Sequence, residues 1–127
     1  MTNIEKTVKY CPVEMSLDLI TKKWVIQLVR DMLFGKTHFN EFKENKDITN
    51  KVLSRCLKQM EEDRLITKTV DGKNTEYHLT DKGRALNKVV YELAMYTVNT
   101  DEYNQYYSEE SKEKIRNLFK EKLGLKT

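Results

Sequence analysis

Between Thr49 and Leu79 the hydrophobic period of the chain changes, and this change constrains the fold more than any other feature. From Thr49 the apolar residues Leu53, Cys56, Leu57 and Met60 recur at i, i+3, i+4 and i+7, the spacing of one helix face. After Arg64 the chain reads LITKTV and then TEYHLT, two β-leaning runs on either side of the Asp71-Gly72 turn signal. The pattern predicts a helix from about Thr49 to Asp63 followed directly by a two-stranded hairpin.

The flanking segments read as helical. Met15, Leu17, Leu19 and Ile20 mark a short amphipathic helix for which Ser16 is a candidate N-cap. Trp24 or Val25, Leu28, Val29 and Met32 share one face of a helix that Gly35 ends. Thr37 can cap a third, short helix, HFNEFKEN, with Phe39 and Phe42 facing the same core, and the polar break Lys46-Asp47 follows. Thr80 can cap the long segment DKGRALNKVVYELAMYTVNT, which carries two apolar stripes. Leu86, Val89, Val90, Leu93 and Thr97 form one, and Tyr91, Met95 and Val98 the other. A last amphipathic helix runs from Ser108 through Ile115, Leu118, Phe119 and Leu123, after the tyrosine-rich linker EYNQYY.

A chain of 127 residues fits a single domain, 1–127, with a core that needs neither disulfides nor metals. Its 39% hydrophobic and 34% charged residues, with one Pro and four Gly, describe a folded, helix-dominated protein. The net charge of +3 is compatible with an anionic partner but does not demand one. The opening MTNIEKTVKY lacks the apolar core of a signal peptide, and no stretch approaches the roughly 20 apolar residues that span a bilayer. A cytoplasmic location without a membrane partner is expected. Cys11 and Cys56 lie far apart, and neither they nor His38 and His78 show metal-ligand spacing, so free thiols and no metal or cofactor are expected. The chain has no glycine-rich phosphate loop, nucleophile elbow or recognisable acid pair, which argues against an enzyme.

A short helix, a polar break, a second helix with a basic outer face and a hairpin together make a helix-turn-helix with a wing. The fold class expected is therefore mainly α with a small β-hairpin. A helix fits the major groove of B-DNA, with its apolar stripe held by the domain and its far side free for bases and phosphates. Lys51, Ser54, Arg55 and Lys58 lie on that far side. No acidic residue occurs from Thr49 to Gln59, whereas Glu61, Glu62 and Asp63 follow at once, so the first three turns, Thr49 to Lys58, are the expected reading surface. The free N–H groups at Thr49 and Asn50 favour a phosphate. Arg55 suits a bidentate contact to guanine, Lys51 and Lys58 suit phosphates, and Lys68, Lys73 and Asn74 of the wing suit the backbone or minor groove. Two other uses of the same architecture are protein–protein contact and architectural DNA binding without strong sequence preference.

Three separated stretches carry a family resemblance from about Tyr10 to Tyr96: CPVEMSLDLITKKW, THFNEFKENKDITNKVLSRCLKQMEEDRLI and TEYHLTDKGRAL. They resemble the HxlR family of winged-helix transcriptional regulators, related to the MarR group. The resemblance implies a homodimer that binds palindromic operators, with a DNA-binding core at about 13–80. Its dimerisation helices would lie at about 81–123, joined by the N-terminal segment. The wing turn DGKN is shorter than the proline-containing wing frequent in the family, and a longer tail follows Tyr96. Independently, the two apolar stripes after Thr80 exceed what one small domain needs to cover.

The resemblance also places Cys11 where several members sense oxidants or electrophiles, which makes an oxidant or small-molecule signal a candidate input. Lys9 is a nearby cation that can lower the thiol's pKa. The competing reading is a small residue packed beside the first helix. Cys56, on the buried stripe, is expected to be packed and unreactive, and Trp24, Phe39 and Phe42 to be core.

Overall fold

The computed structural model describes residues 8–125. In chain order the elements are α1 (Pro12–Ile20), α2 (Val25–Leu33), a 3-10 turn (Glu41–Lys43), α3 (Asn50–Glu62), β1 (Ile66–Asp71), β2 (Asn74–Leu79), α4 (Asp81–Arg84), α5 (Asn87–Asn99), a second 3-10 turn (Asp101–Tyr103) and α6 (Glu109–Lys122). The architecture is mainly helical with one antiparallel hairpin, as the sequence predicts.

Helix α1 starts at Pro12 rather than Met15. Proline costs nothing in the first turn, where its missing N–H would have no partner, and Cys11 takes the N-cap position with extended backbone. Ser16 therefore lies inside the helix and does not cap it. No residue of α1 is buried.

Helix α2 sends Val25, Leu28, Val29 and Met32 into the core and ends where Gly35 adopts a φ of +102°. The expected helix after Thr37 is only the 3-10 turn. The Glu41 carboxylate accepts from the N–H groups of Thr37 and His38, at 3.1 and 2.9 Å, while Lys46 turns back to the Phe42 carbonyl at 2.9 Å. These bonds satisfy the segment without helical turns. Phe42 is wholly buried, and Phe39 is half-buried against the same core.

In α3, Leu53, Leu57 and Met60 are buried, each worth roughly 1.5–3 kcal/mol of burial. Thr49 caps the helix, its hydroxyl accepting from Val52 N–H at 3.1 Å, a bond worth about 1 kcal/mol. At the other end Arg64 takes the left-handed φ of 62°. Leu65 N–H then donates to Met60 at 2.9 Å and Arg64 N–H to Glu61 at 3.0 Å, which closes the helix in a Schellman motif.

The hairpin pairs Ile66 with Leu79 through Asp71 with Asn74, leaving Gly72 and Lys73 as a two-residue turn. Gly72 at a φ of +61° supplies the left-handed backbone that a tight hairpin requires. At the hairpin base Tyr77 N–H donates to the Thr37 carbonyl at 2.8 Å, and the Tyr77 ring meets Phe42 edge-on at 6.0 Å. The wing is thereby tied to the loop before α3.

Thr80 does cap the segment after the hairpin, accepting from Gly83 N–H at 3.1 Å and donating to the Arg64 carbonyl at 2.6 Å. The long helix expected from there is split into α4 and α5. Gly83 lies so close to the Leu65 carbonyl that a β-carbon would collide with it, and the chain tightens through an i+3 bond from Leu86 to Gly83 at 3.1 Å.

Of the two stripes, Val90, Met95 and Val98 are buried, whereas Leu93 and the neighbouring Tyr96 are 51% and 69% exposed. Ser108 caps α6, whose Phe119 packs on Phe34 at 5.2 Å and is followed by the buried Leu123.

Candidate nucleic-acid interface

With Leu53, Leu57 and Met60 pinned inward, the helical repeat turns Thr49, Asn50, Lys51, Ser54, Arg55 and Lys58 to the surface, and all six are exposed. Their exposure follows from the same periodicity that buries the opposite stripe. Cys56 sits between the two faces, half-buried, with its thiol 3.7 Å from the Lys23 carbonyl. Burial pushes this thiol up from its ordinary pKa and keeps it protonated.

A groove of about 480 Å³ runs between α3 and the wing. Ser54 and Lys58 line its helix side, and Lys68 and Tyr77 its wing side. The Lys68 ammonium lies over the Tyr77 ring at 6.0 Å, which holds it on this face. Glu61 and Glu62 also line the groove, so its positive charge is concentrated toward the start of α3. Asp63 is engaged elsewhere. It receives Lys22 at 2.8 Å and Gln59 at 3.2 Å, and Lys22 above all holds its carboxyl below the ordinary range.

At the wing tip Lys73 is exposed and Asn74 is braced. The Asn74 side chain meets the His38 imidazole at 3.1 Å through its oxygen and donates to Glu76 at 2.8 Å through its nitrogen. Glu76 in turn meets His78 at 3.0 Å. His38 therefore orients the wing from the preceding loop, a role no spacing in the sequence marks, because 36 residues separate it from Asn74.

Cys11 is half-buried at the start of α1, remote in sequence from this face, and both it and Cys56 are free thiols. The nearby Lys9 ammonium lies over the Tyr10 ring at 5.3 Å. Among the described residues no cluster of His, Cys, Asp or Glu is arranged to hold a metal ion, and no helix is long and apolar enough to cross a membrane.

Residues 19–105 match the HxlR-like helix-turn-helix family. The HTH-type transcriptional regulator YybR of Bacillus subtilis (strain 168) is 36% identical over 95 residues, which cover 72% of this chain and 76% of YybR. The structure of the redox regulator HypR in its oxidized form aligns with a TM-score of 0.64 at 34% identity, over 71% of this chain and 97% of HypR. The quinone-bound YodB of B. subtilis aligns with a TM-score of 0.61 at 28% identity, over 71% of this chain and 100% of YodB. The basic helix, the attached wing and these likenesses converge: the chain belongs to the HxlR-like helix-turn-helix family of transcriptional regulators.

Proposed function

We propose that the protein is a homodimer that binds a palindromic operator, with α3 in the major groove and the wing beside it. The exposed face from Thr49 to Lys58, free of acidic residues and backed by a buried stripe, is the observation that carries this reading. Thr49, Asn50, Lys51 and Lys58 hold phosphates, Ser54 and Arg55 face base edges, and Lys68, Lys73 and the braced Asn74 meet the flanking backbone.

Dimerisation is supported by apolar surface left open among the described residues. Val13, Met15 and Leu17 on α1, Leu93 and Tyr96 on α5 and Leu118 on α6 are all exposed. Leu93, Tyr96 and Leu118 belong to the flanking dimerisation helices, about 81–123, whereas Val13, Met15 and Leu17 open the DNA-binding core of about 13–80, next to the N-terminal segment. Residues 1–7 of that segment lie outside the described residues. Two-fold symmetry then sets the two α3 helices about 34 Å apart, one turn of DNA.

Cys11 is the residue through which an oxidant or electrophile acts. Its half-buried position as the N-cap residue of α1, two residues before the exposed Val13, supports this reading, and HypR and YodB are similar proteins, one a redox regulator and the other solved with a bound quinone.

Selection of bound sequences from random DNA, with and without diamide, tests the reading. A palindromic site should emerge, Arg55→Ala should cost about 1–3 kcal/mol and relax preference at one position, and Cys11→Ser should abolish the response to oxidant. Recovery of no preferred sequence, with specific binding less than about tenfold tighter than non-specific, would identify an architectural DNA-binding protein instead.

A further inference from the structure

Behind the exposed face of α3 lies a second cavity, of about 460 Å³, between the start of α2 and the near side of α3. Trp24, Val25, Val52 and Cys56 make an apolar floor, and Lys23 and Arg55 stand at its rim. Its volume lies in the range of small-molecule sites, which combine apolar walls with a few convergent polar groups.

Three cations border the cavity, but they are not equivalent. Lys22 is neutralised by Asp63 at 2.8 Å. Neither Lys23 nor Arg55 has a carboxylate within ion-pair distance among the described residues; Lys23 rests over the Trp24 ring at 5.5 Å. The Cys56 thiol on the floor senses both, since Arg55 and Lys23 each oppose the upward push of burial. Trp24 itself adopts a φ of 75°, a backbone conformation that bulky side chains seldom hold, at the position that shapes the cavity wall.

We propose that this cavity binds a small apolar carboxylic acid, with its ring or alkyl body on Trp24, Val25 and Val52 and its carboxylate between Arg55 and Lys23. The guanidinium offers the bidentate geometry that carboxylates favour, and the apolar floor makes the same contact stronger than it is in open water. Because Arg55 also faces the groove-reading side of α3, a bound acid competes with DNA for its guanidinium. The effect on DNA rests on the function proposed above, whereas binding of the acid does not.

Trp24 is the only tryptophan in the chain, so its emission reports on this site alone. The full-length protein, without DNA, is titrated with phenylacetate and with the neutral phenylacetamide under selective tryptophan excitation. A saturable change is expected with the acid, with the amide about tenfold or more weaker. Arg55→Gln or Lys23→Gln, both exposed positions that leave the core intact, should remove that preference while far-UV circular dichroism is unchanged. The site is overturned by no saturable change up to about 10 mM acid, by equal binding of acid and amide, or by an undiminished preference in both variants. Saturating phenylacetate should also weaken binding to the selected operator. Acid binding that leaves DNA affinity untouched would uphold the cavity and count against Arg55 as a DNA contact.

Discussion

Lys46 places its ammonium on the Asp31 carboxylate with both side chains almost wholly out of solvent, 3% and 6% exposed. The same ammonium donates to the Phe42 carbonyl at 2.9 Å, and Arg30 reaches Asp31 from the other side at 3.0 Å. This network locks the loop before α3 onto α2 and so sets where α3 begins. Replacing Lys46 by Met would leave a buried carboxylate with only Arg30. Denaturant unfolding should show a loss of about 3–5 kcal/mol, and the double variant Asp31→Leu/Lys46→Met should lose much less, because no buried charge is then stranded. A single variant as stable as the wild type would show that the pair does not hold the loop.

Gly83 faces the Leu65 carbonyl too closely to admit a β-carbon. Gly83→Ala should therefore destabilise the fold by about 1–3 kcal/mol as α4 is pushed off the end of α3. Unchanged unfolding would mean that the two segments separate without cost.

Lys73 stands exposed at the wing turn. Lys73→Ala should weaken binding to operator and random DNA alike and reduce the slope of log affinity against log salt by about 0.9, one phosphate contact. Wild-type slope in this variant would remove the wing tip from the DNA.

Leu93 lies 51% exposed on α5 beside Tyr96, within an apolar patch left open among the described residues. Leu93→Asp should shift sedimentation at micromolar concentration from dimer to monomer without loss of helix content. A variant that sediments as a dimer would place the interface elsewhere.

The loop and the wing meet through a pH-dependent network. His38 is raised above its ordinary 6.5, first by its hydrogen bond to Asn74 and then by that to Glu41, while Glu41 and Glu76 are lowered below 4.5 by the bonds they accept. Because the folded His38 pKa is the higher one, its stabilising effect is complete below 6.5 and fades as pH rises through the folded value. The two carboxylates stabilise above 4.5 and lose this effect as pH falls through their lower folded values. The network is thus complete between 4.5 and 6.5. NMR titration should find the His38 pKa elevated in the wild type and returned toward 6.5 in Asn74→Ala; equal values in the two would break the link from loop to wing.

Local pattern by itself determined α3 and the hairpin. A period of 3.6 residues chose Leu53, Leu57 and Met60 as the inner stripe, and Asp71-Gly72 placed the turn, because such preferences act between near neighbours. The same periodicity located the candidate reading surface, since burial of one side of a helix exposes the other. Tertiary structure alone decided the rest. Lys46 belongs to a stretch that reads as a polar break, yet its partner Asp31 turns it inward. Asn74 reads as a free wing-tip amide, yet His38 and Glu76 engage it on both sides. Lys23, Trp24 and Arg55 gain their shared cavity only when α2 packs beside α3. In each case the deciding contact joins residues distant in the chain, and an isolated lysine, histidine or arginine carries no trace of the partner that folding supplies.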